Sequence, residues 1–100
     1  MRFEKAYIPY GAYWCSPFCR WQGSFGHLHS LKFAAEMAVR ALAERKISPD
    51  RLDGLFLGMT VPQQFSFYGA PWAAGLIGNP NITGPPISQA CATSGKVIAA

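Results

Sequence analysis

Leu55-Phe56-Leu57-Gly58-Met59-Thr60-Val61 is a nearly continuous apolar run of strand length, the pattern of a strand covered on both faces rather than one alternating between core and solvent. Strands of that kind sit in parallel sheets, and consecutive parallel strands need a crossover, usually a helix. The flanking residues supply the crossovers. Upstream, Ser48-Pro49-Asp50-Arg51 turns the chain, with Ser48 as N-cap and Pro49 in the first position of a short helical turn. Downstream, residues 71–77 read as a short helix closed by Gly78, Asn79-Pro80-Asn81 as a turn, and residues 85–89 as another strand.

Further upstream, Leu28, Leu31, Ala35, Ala38 and Leu42 recur at three- and four-residue steps, while Lys32, Glu36, Arg40 and Glu44 stand four apart with alternating charge. That spacing predicts an amphipathic helix over residues 28–46 whose polar stripe faces solvent, each charge pair adding about 0.2–0.5 kcal/mol. Residues 3–10 mix aromatic and β-branched side chains and read as a first strand. Residues 11–26 then form a long irregular loop, too rich in aromatics (Trp14, Phe18, Trp21, Phe25) to be solvated throughout. Strands alternating with helices give an α/β class with a largely parallel sheet flanked by helices.

The third strand runs straight into Gln89-Ala90-Cys91-Ala92-Thr93-Ser94-Gly95, and then into the apolar run Lys96-Val97-Ile98-Ala99-Ala100, a good first helical turn. A thiol at such a junction meets unpaired backbone N–H groups and the positive end of a helix dipole, which favour the nucleophilic thiolate form. Small neighbours leave room for an incoming carbonyl, and the cysteine's own amide can donate to an oxyanion. Thr93 or Ser94 can cap the helix or hydrogen-bond the site. The competing reading is a buried, inert cysteine among alanines.

Ile47-Ser48-Pro49-Asp50-Arg51-Leu52-Asp53-Gly54-Leu55-Phe56-Leu57-Gly58, the order of elements and the segment around Cys91 together resemble the N-terminal part of a thiolase. The resemblance covers nearly the whole chain. It implies a single N-terminal thiolase-like domain over residues 1–100, half of a layered fold with a mixed, largely parallel sheet. It also implies that Cys91 is the catalytic nucleophile, accepting an acyl group from a coenzyme A thioester as acetyl-CoA acetyltransferases and 3-ketoacyl-CoA thiolases do. Coenzyme A thioester would be the substrate, with no permanently bound cofactor, and a homo-oligomer is the expected assembly. Two departures stand out. Where degradative and biosynthetic thiolases carry Arg-Thr-Pro-Phe-Gly, Cys15-Ser16-Pro17-Phe18-Cys19 keeps only the Pro-Phe, and Ala90-Cys91-Ala92-Thr93 is as similar to a β-ketoacyl synthase, a sister family with the same fold and nucleophile. A noncatalytic thiolase-like subunit is the alternative of a different class.

The composition bounds these readings. A hydrophobic fraction of 50% over 100 residues suits one globular domain with a small core. The net charge of +4 is spread along the chain with no basic stripe, so nucleic acid binding is not indicated. The chain stops inside the apolar run after Cys91 and reads as the leading part of a longer protein, inactive by itself. An odd cysteine count and no apolar signal segment point to the cytoplasm, and no stretch approaches the ~18 apolar residues of a membrane span. Cys15, Cys19, His27 and His29 offer a tetrahedral zinc set, but their spacing does not match structural zinc sites, so no metal is expected. The glycines form no phosphate-cradling loop. Phe65, Phe67, Tyr68 and Trp72 line an acyl pocket or an interface, or else simply pack in the core.

Overall fold

Helix formation begins at a histidine. In the computed structural model, which describes residues 4–61, 64 and 66–100, the first helix, α1 (Ser30–Glu44), is capped by His29: the Leu31 N–H donates to His29 Nδ1 at 3.3 Å. Nε2 faces the Gln64 carbonyl, which can only accept, so the ring is the Nε2–H tautomer, one nitrogen accepting and the other donating. The helix starts two residues later than its periodicity predicts, and Leu28 lies outside it, exposed.

From there the pattern holds. Leu31, Ala35, Ala38, Ala41 and Leu42 are buried, while Lys32, Glu36, Arg40 and Glu44 are exposed. Glu36 and Arg40 meet at 3.5 Å in solvent, an arrangement worth only a few tenths of a kcal/mol. Past the helix, Lys46 turns left-handed (φ 57°) while its N–H donates to the Ala43 carbonyl and that of Ile47 to the Leu42 carbonyl. This is a Schellman closure with lysine where glycine is favoured. Lys46→Gly is therefore expected to raise stability by about 0.5–1 kcal/mol, read as a higher urea midpoint with an unchanged slope.

Ser48 accepts from the Asp50 N–H at 3.3 Å and opens a 3₁₀ turn at Pro49–Arg51. Strand β1 (Leu57–Gly58) follows, then α2 (Gly69–Ile77), closed by Gly78 at φ 114°, then β2 (Pro86–Ile87). The two strands pair in parallel, Leu57 opposite Pro86 and Gly58 opposite Ile87.

Both strands are shorter than the apolar runs that predict them, for two separate reasons. Backbone donors continue at Leu55 (to the Thr83 carbonyl, 3.1 Å), Leu57 (to Pro85, 3.1 Å) and Met59 (to Ile87, 3.0 Å). At one end Pro85 has no N–H to return to the Leu55 carbonyl. At the other, the Gln89 N–H, which would return to Met59, donates instead to Thr93 Oγ1 at 2.8 Å.

Side-chain coverage also differs from the expectation of two buried faces. Leu55, Leu57 and Met59 are half-buried and Phe56, Gly58 and Thr60 exposed. On the first face, a Cβ on Gly69 would come within 2.7 Å of Leu57 Cδ2 and 3.2 Å of Met59 Cε, so α2 lies against β1. On the other, a Cβ on Gly58 would meet Val97 Cγ2 at 2.7 Å and Thr93 Cγ2 at 2.9 Å, so the last helix, α3 (Thr93–Ala99), lies there. The result is an α/β domain in which α2 lies against one side of a two-stranded parallel sheet and carries α1 packed on it, and α3 lies against the other side.

The core sits between α1 and α2 and is made mostly of alanine: Ala35, Ala38, Ala41, Ala70, Ala73 and Ala74, with Leu31, Leu42 and Ile82. Small side chains let the two helices approach closely. A buried polar residue completes it. Asn79, 6% exposed, donates from Nδ2 to the carbonyls of Pro49 (2.9 Å) and Leu52 (3.3 Å) and accepts from the Asn81 N–H. It ties the turn after α2 to the 3₁₀ turn before β1. Asn79→Ala leaves two carbonyls short of a donor and is expected to cost about 1–3 kcal/mol in urea unfolding.

The predicted first strand is absent from the described residues. Phe3 lies outside them, and residues 4–10 adopt no ladder and are exposed throughout. Pro9 cannot donate to a neighbour, and its carbonyl is taken by the Ala12 N–H in a turn. The loop over residues 11–26 is irregular as expected, yet Phe18 (95%) and Trp21 (87%) are solvated rather than packed. Phe25 packs on Phe33 with centroids 5.0 Å apart. Arg45 holds the loop's start, donating to the carbonyls of Gly11 (2.6 Å), Tyr13 (3.0 Å) and Ala41 (3.0 Å) with its guanidinium 5.3 Å from the Trp14 ring centre. Among the described residues no helix is long and apolar enough to cross a membrane.

Candidate active site at Cys91

β2 delivers the chain to a tight turn. Gln89 leaves the sheet at φ −141°, ψ 48°, Ala90 turns left-handed at φ 45°, and Ala90–Ala92 make one 3₁₀ turn before α3 begins at Thr93. A left-handed alanine is uncommon because its Cβ crowds the following carbonyl, so the turn must be held by other bonds. Thr93 provides them. Its hydroxyl accepts from the Gln89 N–H and donates to the Ala90 carbonyl at 2.7 Å, and its N–H donates to that same carbonyl. The Ala92 N–H donates back to Gln89 at 2.9 Å. Thr93 is 5% exposed.

Cys91 rides at the middle of this turn as an exposed thiol. Its own amide takes part in none of the turn's bonds. The thiol opens onto a cleft of about 360 Å³ lined by Gly58, Thr60, Cys91, Thr93, Ser94, Val97 and Ile98. The lining side chains are short: aliphatic at Val97 and Ile98, hydroxyl-bearing at Thr60, Thr93 and Ser94, and none charged among the described residues that line it. Gly58 sets the width, because any side chain there would run into Thr93 and Val97.

Chemically, the arrangement offers a nucleophile reachable from solvent, a neighbouring backbone donor and an uncharged pocket wall. Among the described residues that line the cleft, Cys91 is the one titratable side chain, so none of them is a general base for it.

The other candidates lie elsewhere. Cys15 lines a groove of about 400 Å³ between the loop and α1, with Trp14, Phe25, Phe33 and Met37, and Cys19 lines an adjacent one of about 300 Å³. Cys15 Sγ donates to the Ser16 carbonyl and His29 is occupied as a helix cap. Among the described residues no three or more His, Cys, Asp or Glu side chains gather where a metal could be held. Of the aromatic cluster, Phe65 lies outside the described residues. Phe67 and Tyr68 form an edge-on pair 4.8 Å apart that is 83% and 72% exposed, so they belong neither to the core nor to the Cys91 cleft. Trp72 is half-buried and packs edge-on against His29 at 5.3 Å.

Sequence reading reaches Cys91 and offers Thr93 or Ser94 as a helix cap or a hydrogen-bonding partner of the site; neither caps α3, whose N-cap Ala92 has no side-chain bond, and Thr93 bonds the turn instead, while Gly58, Thr60 and Ala90 are passed over. A glycine inside an apolar strand is the available signal for Gly58, since it marks a close approach. Nothing in composition or spacing marks Ala90 as left-handed. Comparison with protein-family models, with curated proteins and with solved structures finds no match to this chain.

Proposed function

We propose that this chain is the nucleophile-bearing, N-terminal half of a thiolase-type acyltransferase, in which Cys91 carries the acyl group as a thioester. The observation that supports the reading best is the placement of Cys91: an exposed thiol on a left-handed strand-to-helix turn behind a parallel strand, opening onto an uncharged cleft. With acetyl-CoA the Cys91 sulfur attacks the thioester carbonyl: an Sγ–C bond forms, the bond from that carbon to the coenzyme A sulfur breaks, and coenzyme A departs with the electron pair and takes up the proton given up by the thiol. With a 3-ketoacyl-CoA the sulfur attacks the 3-keto carbon instead: an Sγ–C bond forms, the bond between C2 and C3 breaks, and acetyl-CoA departs as its enolate and takes up a proton at C2. The Cys91 amide is the donor nearest at hand for the oxyanion. With no base among the described residues that line the cleft, the proton transfers of the carbon–carbon step fall to groups other than these. The reading carries with it a coenzyme A thioester as substrate, a cytoplasmic setting and a homo-oligomer.

Incubating the full-length protein with acetyl-CoA and mapping its peptides by mass spectrometry tests the proposal. An acetyl-sized, hydroxylamine-labile increase on the peptide holding Cys91, and not on those holding Cys15 and Cys19, is the expected result. No adduct would leave the noncatalytic subunit as the better reading. An adduct formed only from an acetylated acyl carrier protein would turn the assignment to a β-ketoacyl synthase, which the Ala90-Cys91-Ala92-Thr93 segment also fits.

A further inference from the structure

The Gln89 N–H stands where the parallel ladder would next be extended, and it donates to Thr93 Oγ1 instead. The same hydroxyl donates to the Ala90 carbonyl, and Ala90 is the residue turned to φ 45°. One buried oxygen therefore ends the strand and fixes the residue on the N-terminal side of the thiol. Thr93 also lines the Cys91 cleft, and its methyl group would be struck by any side chain at Gly58.

We infer that Thr93 is the positioning residue of the Cys91 site: its hydroxyl holds the left-handed turn that aims the Cys91 amide and sulfur at the same point in the cleft. The inference rests on the acyl-transfer reading for its purpose but not for its test. A neutral ester reads it directly. When Cys91 is acylated by para-nitrophenyl acetate, an Sγ–C bond forms, the bond to the phenolic oxygen breaks, para-nitrophenolate leaves with the electron pair, and the thiol proton passes to solvent. This reaction passes through an oxyanion and uses the amide. Alkylation by iodoacetamide displaces iodide at a saturated carbon and forms no oxyanion, so it reports access to the sulfur alone.

In the full chain, Thr93→Val is expected to slow acylation of Cys91 by the ester about tenfold, less than the effect of deleting an oxyanion donor outright, while iodoacetamide alkylation of Cys91 changes little. Cys15 and Cys19, read in the same digests, serve as internal controls for both reagents. Thr93→Ser keeps the hydroxyl and is expected to restore the ester reaction. Adding Ala90→Gly to Thr93→Val, which lets the turn form without the clamp, is expected to recover part of it. If valine leaves the chain unfolded by circular dichroism, Thr93→Ala gives the same comparison without the added apolar bulk.

Equal losses in both reactions, or no loss in either, would overturn the positioning role. Because the ester needs no coenzyme A site, failure of acetyl-CoA to label Cys91 in the unaltered full-length protein would count against the acyl-transfer reading alone.

Discussion

Gly84→Ala is expected to be the most damaging small substitution in this chain, costing about 3 kcal/mol or more and in the worst case preventing folding. A Cβ at Gly84 would sit 1.6 Å from the Leu55 carbonyl oxygen, 2.5 Å from its carbon and 3.2 Å from its nitrogen. These are backbone atoms, so no side chain can swing aside, and the conflict is relieved only by separating the segment before β2 from the segment before β1. That separation breaks the bond from the Leu55 N–H to the Thr83 carbonyl and strains the next, from Leu57 to Pro85. Overpacking usually costs about 1–3 kcal/mol, and this case lies at or above the top of that range. Urea denaturation followed by circular dichroism measures it. A midpoint within error of the unaltered chain would show that the two segments can part without loss. The neighbouring Gly54, whose Cβ would meet nothing nearer than 3.5 Å, is the matched control and is expected to tolerate alanine.

Cys91→Ala is expected to have the largest effect on chemistry. On the acyl-transfer proposal it removes the atom that takes the acyl group, so in the full-length protein thiolysis of a ketoacyl-CoA should fall by at least about a thousandfold, the scale seen when a covalent nucleophile is deleted. Stability should scarcely move, because Cys91 is exposed and its side chain fills no cavity in the core. Unchanged thiolysis would show that the nucleophile lies elsewhere. Cys15→Ala and Cys19→Ala, made in parallel, should leave the rate unaltered, since neither residue lines the Cys91 cleft.

What was legible in the sequence follows from how each feature is encoded. α1 declares itself because the alternation of buried and charged positions repeats over four turns, and both of its ends lie two residues inside the periodic stretch because periodicity says nothing about caps. Ser48 and Gly78 were readable because each acts on its immediate neighbours. The parallel pairing of β1 with β2 could be expected from the helix between them. The Cys91 turn could be placed between a strand and a helix by the same local reasoning.

The features that escaped depend on distant partners. Residues 4–10 have strand-like composition but find no strand to pair with, and composition cannot reveal that. Asn79 reads as a turn residue, yet its amide spans to carbonyls about thirty residues back, at Pro49 and Leu52. The shortness of both strands comes from one missing donor at Pro85 and one diverted donor at Gln89, neither of which alters the apolar pattern. Phe18 and Trp21 were assigned to a packed loop on hydrophobicity alone, and hydrophobicity does not say whether a surface is available to receive them.

Arg45 carries a further consequence. By binding the carbonyls of both Gly11 and Tyr13 to the end of α1, it divides the N-terminal third of the chain into a tail and a closed loop ending at the His29 cap. The entropy of closing such a loop rises only by about 0.6 kcal/mol for each doubling of its length. Insertions between Trp14 and His29 should therefore be cheap, and evolution or an engineer can lengthen this segment without disturbing the sheet. Replacing Arg45 is a different matter: with its post removed, the loop and the tail merge into a single longer arm whose first hold on α1 is Phe25 against Phe33.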